Sequence, residues 1–145
     1  VKRIGRRGNR DGAMGGAKMI VGIGSDLVHI SRIEAVLERQ GEAFAKRILR
    51  HEEFETFCLK KKPRQRASFL AKRFAAKEAL SKALKTGIGD VSWQHILVTN
   101  SVNGAPEITL SGKALEISKT LGAEAIHLSL SDEQDMALAF VVLSA

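Results

Sequence analysis

Hydrophobic positions change period along this chain, and each change marks a new element. "MIVGIGSD" (19–26) is a short apolar run with two glycines and predicts a first strand ending at Asp26. Ser31 and Glu34 then stand at capping-box spacing, and Ile33, Val36 and Leu37 form one apolar face. A helix is expected through about Gln40, with Gly41 as its stop. Helical patterns recur in "EAFAKRIL" (42–49) and "HEEFETFCL" (51–59). "KKKPRQR" (60–66) sets five cations around a proline and reads as a loop or helix entrance. A long helix is expected over about 67–86, stopped by "GIGD". Beyond it the period falls to two. "WQHILVT" and "EITLS" alternate as strands across the turn "NSVNGAP". "SGKALEISKTLG" is a short helix with Ala114, Leu115, Ile117 and Leu121 as its apolar residues, ending on Gly122. "AIHLSLS" and "MALAFVVLS" form a closing hairpin across "DEQD"; the second is apolar nearly throughout and is therefore central. A strand, several helices, then strands with one more helix predict a single α+β domain.

The long helix does not fit a simple amphipathic pattern. On a wheel of about 100° per residue, Phe69, Leu70, Phe74, Leu80 and Leu84 define a core stripe roughly 140° wide. Arg73 and Lys77 fall inside that stripe, at roughly 40° and 80° from Phe69. Glu78 and Lys82 fall beyond its edge, with Ala71 and Ala75. An exposed Glu78–Lys82 pair at i,i+4 accounts for the latter two, and snorkelling accounts for cations at a stripe's edge. Two like charges within the stripe are costly unless something anionic meets them, and a phosphate-rich ligand would do so.

Charge is unevenly spread. The net charge is +7, but residues 1–18 hold six Lys or Arg against one Asp, leaving 17 basic and 15 acidic residues in the remainder. That leader, with five of the 13 glycines and no apolar segment, reads as a disordered extension or expression remnant, with the folded domain expected over 19–145. A basic nucleic-acid-binding module using the leader and residues 60–66 is the rival reading. One tryptophan, no tyrosine and no aromatic-basic interleaving disfavour it. The single cysteine, Cys58, cannot close an internal disulfide and is read as a small buried residue, which points to a reducing compartment, most simply the cytoplasm. No apolar run approaches the ~20 residues of a membrane span.

Two motifs then narrow the reading. Gly24-Ser25-Asp26 near the start and Phe74-Ala75-Ala76-Lys77-Glu78-Ala79-Leu80-Ser81-Lys82 in the long helix, followed by "TGIG", resemble the two signatures of the holo-(acyl-carrier-protein) synthases, the bacterial 4′-phosphopantetheinyl transferases. The resemblance runs from Met19 to the end and includes "NGAP" and "HLSLS". It implies helices packed on a mainly antiparallel sheet, and a trimer with sites in the clefts between subunits. The implied reaction, part of fatty acid biosynthesis, moves the phosphopantetheine arm of coenzyme A to a serine of apo acyl carrier protein with Mg²⁺ and releases adenosine 3′,5′-bisphosphate.

The motif positions carry the implied roles. Asp26 and Glu78 are the expected metal ligands, a donor set suited to Mg²⁺, which takes one or two carboxylates together with phosphates and waters. Lys77 and Lys82, with Arg73, are the candidates for the coenzyme A phosphates, and Lys82 joins Asp26 and Glu78 as a catalytic candidate. Gly87 and Gly89 would let the backbone approach the nucleotide. His127 matches a histidine of the family's late strand and is a weaker coenzyme A candidate; as a lone histidine in an apolar strand it also fits a hydrogen-bonded core residue. Many members carry a second histidine where this chain has Asp132, and no role transfers there. The serine proton could pass to Asp26, to Glu78 or to a metal-bound hydroxide. Acyl carrier proteins are acidic, so a basic docking patch is expected, from Arg32 and Arg39 on the first helix and from Arg64 and Arg66.

Overall fold

A computed structural model describes residues 19–145; the leader expected at 1–18 lies outside the described residues. The order is β1 (Ile20–His29), α1 (Ile30–Gln40), α2 (Glu42–Ile48), α3 (His51–Leu59) and α4 (Pro63–Ala83). A 3₁₀ turn (Trp93–His95), β2 (Ile96–Asn100), β3 (Pro106–Leu110), α5 (Gly112–Thr120), β4 (Ala125–Glu133) and β5 (Met136–Ser144) complete it. One sheet has the antiparallel order β1-β5-β4, and β2 and β3 form a separate antiparallel ribbon. No helix among the described residues is long and apolar enough to cross a membrane.

The nearly continuous apolar run of β5 is explained by its central place. Ala137, Ala139, Val141 and Leu143 are fully buried against the helices, and Leu138 and Phe140 stand on the other face. β1 runs past Asp26 to His29 because Leu27, Val28 and His29 continue the ladder opposite Leu138, Ala137 and Met136.

α4 is the spine of the molecule. Pro63, whose fixed φ suits a first helical turn, starts it earlier than expected. It also ends earlier, at Ala83. Lys85 and Gly87 adopt left-handed φ values of 68° and 70°, and the N–H groups of Thr86 and Gly87 turn back to the Ser81 carbonyl. The single-stripe wheel fails for a topological reason: the helix is covered on more than one side. Ala71, Ala75 and Ala79 are as buried as Leu70 and Leu80. β1 presses against this small-residue side so closely that a Cβ on Gly24 would lie 2.1 Å from the Ala79 carbonyl oxygen.

The capping box expected of Ser31 and Glu34 does not form. His29 is the N-cap residue, without a side-chain cap bond, and Ser31 lies inside α1. The orphan N–H groups of the first turn are met instead from the β4–β5 turn. The Asp135 carbonyl accepts from the N–H of Ile30 at 2.8 Å, and its carboxylate accepts from the N–H and hydroxyl of Ser31 at 3.0 and 2.6 Å. Arg64 donates to Asp135 at 2.9 Å and to the Gln134 carbonyl at 2.9 Å. The Ser31 hydroxyl and then Arg64 lower the Asp135 carboxyl from 3.8 to about 2. A depressed acid stabilises the fold above its unfolded value, and that contribution disappears as pH falls from 3.8 through about 2. Asp135→Asn should therefore flatten the fall of Tm across that window, measured by circular dichroism melts. A slope equal to the wild type's would remove Asp135 from the acid response.

Candidate active site

Asp26 and Glu78 are brought together by the tight seam between β1 and α4. Gly22 and Gly24 face the Ala83 and Ala79 carbonyls, so strand and helix backbones nearly touch. Asp26 follows on the helix-facing side of β1, opposite the buried Ala139. Glu78 immediately precedes Ala79, and its carboxyl is pushed up by burial and then by the Asp26 charge, with Lys82 opposing. Lys82 donates to Asp26 at 3.2 Å and to the Ser25 carbonyl at 3.0 Å. It thus meets the strand's acid, where the exposed reading paired it with Glu78.

The arrangement is two carboxylates from two rigid elements, with one partly exposed lysine at their edge. Among the described residues there is no group of three or more His, Cys, Asp or Glu able to enclose a metal. A pair of oxygen donors left open suits Mg²⁺, which keeps waters and substrate phosphates in its shell. The "TGIG" loop leaves α4 just beyond Lys82. A Cβ at Gly87 or Gly89 would meet nothing within 4 Å, so the backbone there is open to a ligand.

Other expected residues stand elsewhere. Lys77 is removed from the phosphate contacts: it is 0% exposed, and its ammonium donates to Glu53 at 2.6 Å, to the Ile48 carbonyl at 2.8 Å and to the Trp93 carbonyl at 3.3 Å. Burial lowers its pKa, with the Glu53 charge opposing. Glu53 was missed by sequence reasoning. Its signal was an acid four residues before Phe57, on the apolar face of α3. Arg73 turns away from the acidic pair, stacking on Phe69 with its guanidinium carbon 4.3 Å from the ring centroid. It lines a cleft of about 580 Å³ with Lys72, Asn100, Gly104 and Pro106. His127 is exposed rather than in the core, and its Nε2 lies 3.0 Å from the Ser144 hydroxyl. It is paired with Val142, which in turn is paired with Ile23, so it lies on the sheet face opposite Asp26.

The expected basic patch divides. Arg32 and Arg39 are exposed on α1, and no ion pair among the described residues engages them. Arg64 is not a free docking cation, because Asp135 at 2.9 Å and Glu34 at 3.8 Å hold it. Arg66 is likewise held by Glu42 at 3.2 Å and stacks over Phe57. With Lys60 over the Phe69 ring, these contacts also take away much of the 60–66 surface that the nucleic-acid reading needs.

A family model, the 4′-phosphopantetheinyl transferase superfamily, matches residues 22–141. The chain belongs to that family. It is 49% identical over 127 residues to the holo-[acyl-carrier-protein] synthase of Aliivibrio fischeri, covering 87% of this chain and 98% of that protein. Among solved structures, the holo-[acyl-carrier-protein] synthase of Neisseria meningitidis superposes with a TM-score of 0.76 at 46% identity, covering 86% of this chain and 98% of that one. The Bacillus anthracis synthase, crystallised in complex with coenzyme A (3′,5′-ADP), gives a TM-score of 0.73 at 39% identity over 88% of this chain and 98% of that one. The phosphopantetheinyl transferase thus places its two signature acids side by side at the β1–α4 seam, while its first signature lysine is in the core.

Proposed function

We propose that this transferase moves the 4′-phosphopantetheine group from coenzyme A to a serine of an apo acyl carrier protein, with Asp26 and Glu78 holding Mg²⁺. The observation that carries the reading is the convergence of these two carboxylates beside Lys82. Bound there, Mg²⁺ would neutralise charge developing on the diphosphate as the serine hydroxyl attacks the β-phosphorus. The chain's own contribution is orientation. Asp26 sits in a paired strand and Glu78 on a buried helix, so neither wanders. Lys82 is half-exposed and can turn from Asp26 towards a phosphate, and the backbone at Gly87 and Gly89 is open for the nucleotide to approach.

Within one chain His127 and Arg73 stand apart from the acidic pair, so their expected coenzyme A contacts require a neighbouring subunit, as the proposed homotrimer would supply. The outer face of the β1-β5-β4 sheet exposes Ile23 (60%), Leu27 (58%), Leu138 (42%) and Phe140 (41%) beside His127. A contiguous apolar face of this kind marks an association surface. A chain that sediments as a monomer at micromolar concentration would sink this assembly.

The overall test is direct. Purified protein with Mg²⁺, coenzyme A and apo carrier protein should add one phosphopantetheine mass to the carrier by intact-mass spectrometry, and a chelator should stop it. A carrier of unchanged mass refutes the reading. In the same assay, Arg32→Glu should raise the carrier's KM by about tenfold and reduce its salt dependence, leaving the KM for coenzyme A unchanged. An unaltered carrier KM would place docking away from α1.

A further inference from the structure

The buried ion pair next to the active site is more elaborate than stability requires. All three N–H donors of Lys77 are used, on Glu53, Ile48 and Trp93. Both oxygens of Glu53 are used as well. Oε1 accepts from Lys77 at 2.6 Å and from the N–H of Arg50 at 2.7 Å, and Oε2 accepts from the N–H of Val98 at 2.8 Å. Glu53 is 3% exposed and Lys77 0%. One charge pair therefore ties together the end of α2, the start of α3, the middle of α4, the 3₁₀ turn and β2. Apolar residues of similar volume usually stabilise such a site as well or better, because two buried charges lose their hydration. Fold stability alone gives no reason for charges here.

Geometry supplies a reason. The opposite side of α4 is smooth: Ala79 and Ala83 pack against Gly22 and Gly24 of β1, and Ala75 is buried in the same cluster. Small residues permit close approach but offer few knobs to set a helix's rotation. Lys77 is the immediate chain neighbour of Glu78, so whatever holds one sets the angle of the other. We propose that the Glu53–Lys77 pair is a positioning device that locks the rotation of α4 and so aims the Glu78 carboxylate at Asp26. The magnitudes suit this role. A 20° turn of a helix moves a side-chain end about 5–6 Å from its axis by roughly 2 Å. Mg²⁺ requires near-octahedral geometry at about 2.1 Å, and a misplacement of about 1 Å can cost a hundredfold in rate.

This inference rests on the two-carboxylate metal reading, and the test separates the two. The double variant Glu53→Gln/Lys77→Met removes both charges without leaving either buried alone. Titration calorimetry with Mg²⁺ in the presence of coenzyme A measures metal affinity without turnover, alongside Tm, kcat and the KM for coenzyme A. The expected result is a Tm near that of the wild type, Mg²⁺ affinity lowered about tenfold, kcat lowered about a hundredfold and the coenzyme A KM within about twofold. Glu53→Gln/Lys77→Gln likewise removes both charges while keeping hydrogen-bonding atoms on each side; it should show the same split and carries the test should the first double variant not fold. Wild-type Mg²⁺ affinity and kcat in a folded variant overturn positioning, as does a raised coenzyme A KM with kcat intact, which would return Lys77 to the phosphates. Glu78→Gln is the control. Unaltered Mg²⁺ binding there overturns the metal reading and this proposal with it, whereas lost binding there with full binding in the double variant overturns positioning alone.

Discussion

Glu78→Gln should reduce kcat on the order of a thousandfold, about 4 kcal/mol of transition-state stabilisation, while Tm stays level or rises. The two effects have opposite signs for one reason. Burial and the Asp26 charge already push the Glu78 carboxyl up, so its charged form is held at a cost to the folded state. Glutamine keeps the shape and removes the repulsion, which relieves the fold at neutral pH, but it cannot help to neutralise a cation. Intact-mass time courses give the rate and circular dichroism melts give Tm. A variant that is slow and also clearly less stable would indicate that Glu78 is chiefly a structural residue. Near-normal turnover would remove it from the site altogether.

Gly24→Ala should damage both fold and rate through a single methyl group. Its Cβ would stand 2.1 Å from the Ala79 carbonyl oxygen and 2.8 Å from the Ala83 nitrogen. Both are backbone atoms, so no side chain can swing aside. Relief requires α4 to move off β1, an overpacking cost of about 3 kcal/mol or more, and Tm should fall on the order of 10 °C. Asp26 and Glu78 flank this contact, so kcat per folded molecule should fall as well. Gly89→Ala is the stability control. Its Cβ would meet open space, and Tm should stay within about 1–2 °C. A Gly24→Ala protein with wild-type Tm and rate would mean that the seam is not what sets the spacing of the two acids.

The failures of local pattern reading share a cause. Ser31 and Glu34 have capping-box spacing, yet the helix start is satisfied by Asp135, 104 residues away from Ser31, because the β4–β5 turn packs against it. Lys77 sits on an apolar stripe and looks like a cation awaiting a ligand, but its partner Glu53 lies 24 residues back on another helix. Arg64 and Arg66 look free in a basic run until Asp135 and Glu42 fold over them. Ala71 and Ala75 look like filler on an outer face until neighbouring helices and the sheet cover them. Each depends on which remote segment closes against a given surface, and periodicity carries no information about that.

Much was nonetheless legible. The succession of elements, the central place of β5 and the stop at Gly41 follow from short-range physics: side-chain period, turn chemistry and backbone freedom. Asp26 and Glu78 could be named only through the resemblance of their two motifs to a known family; their periodicity alone fits a capping aspartate and an exposed ion pair equally well. Partnership is another matter. That Lys82 turns to Asp26, that Lys77 is locked by Glu53, and that His127 lies across the sheet from the acids were settled when β1, β4, β5, α3 and α4 packed together. Contacts between distant residues arise from chain closure, and only the closed chain reveals them.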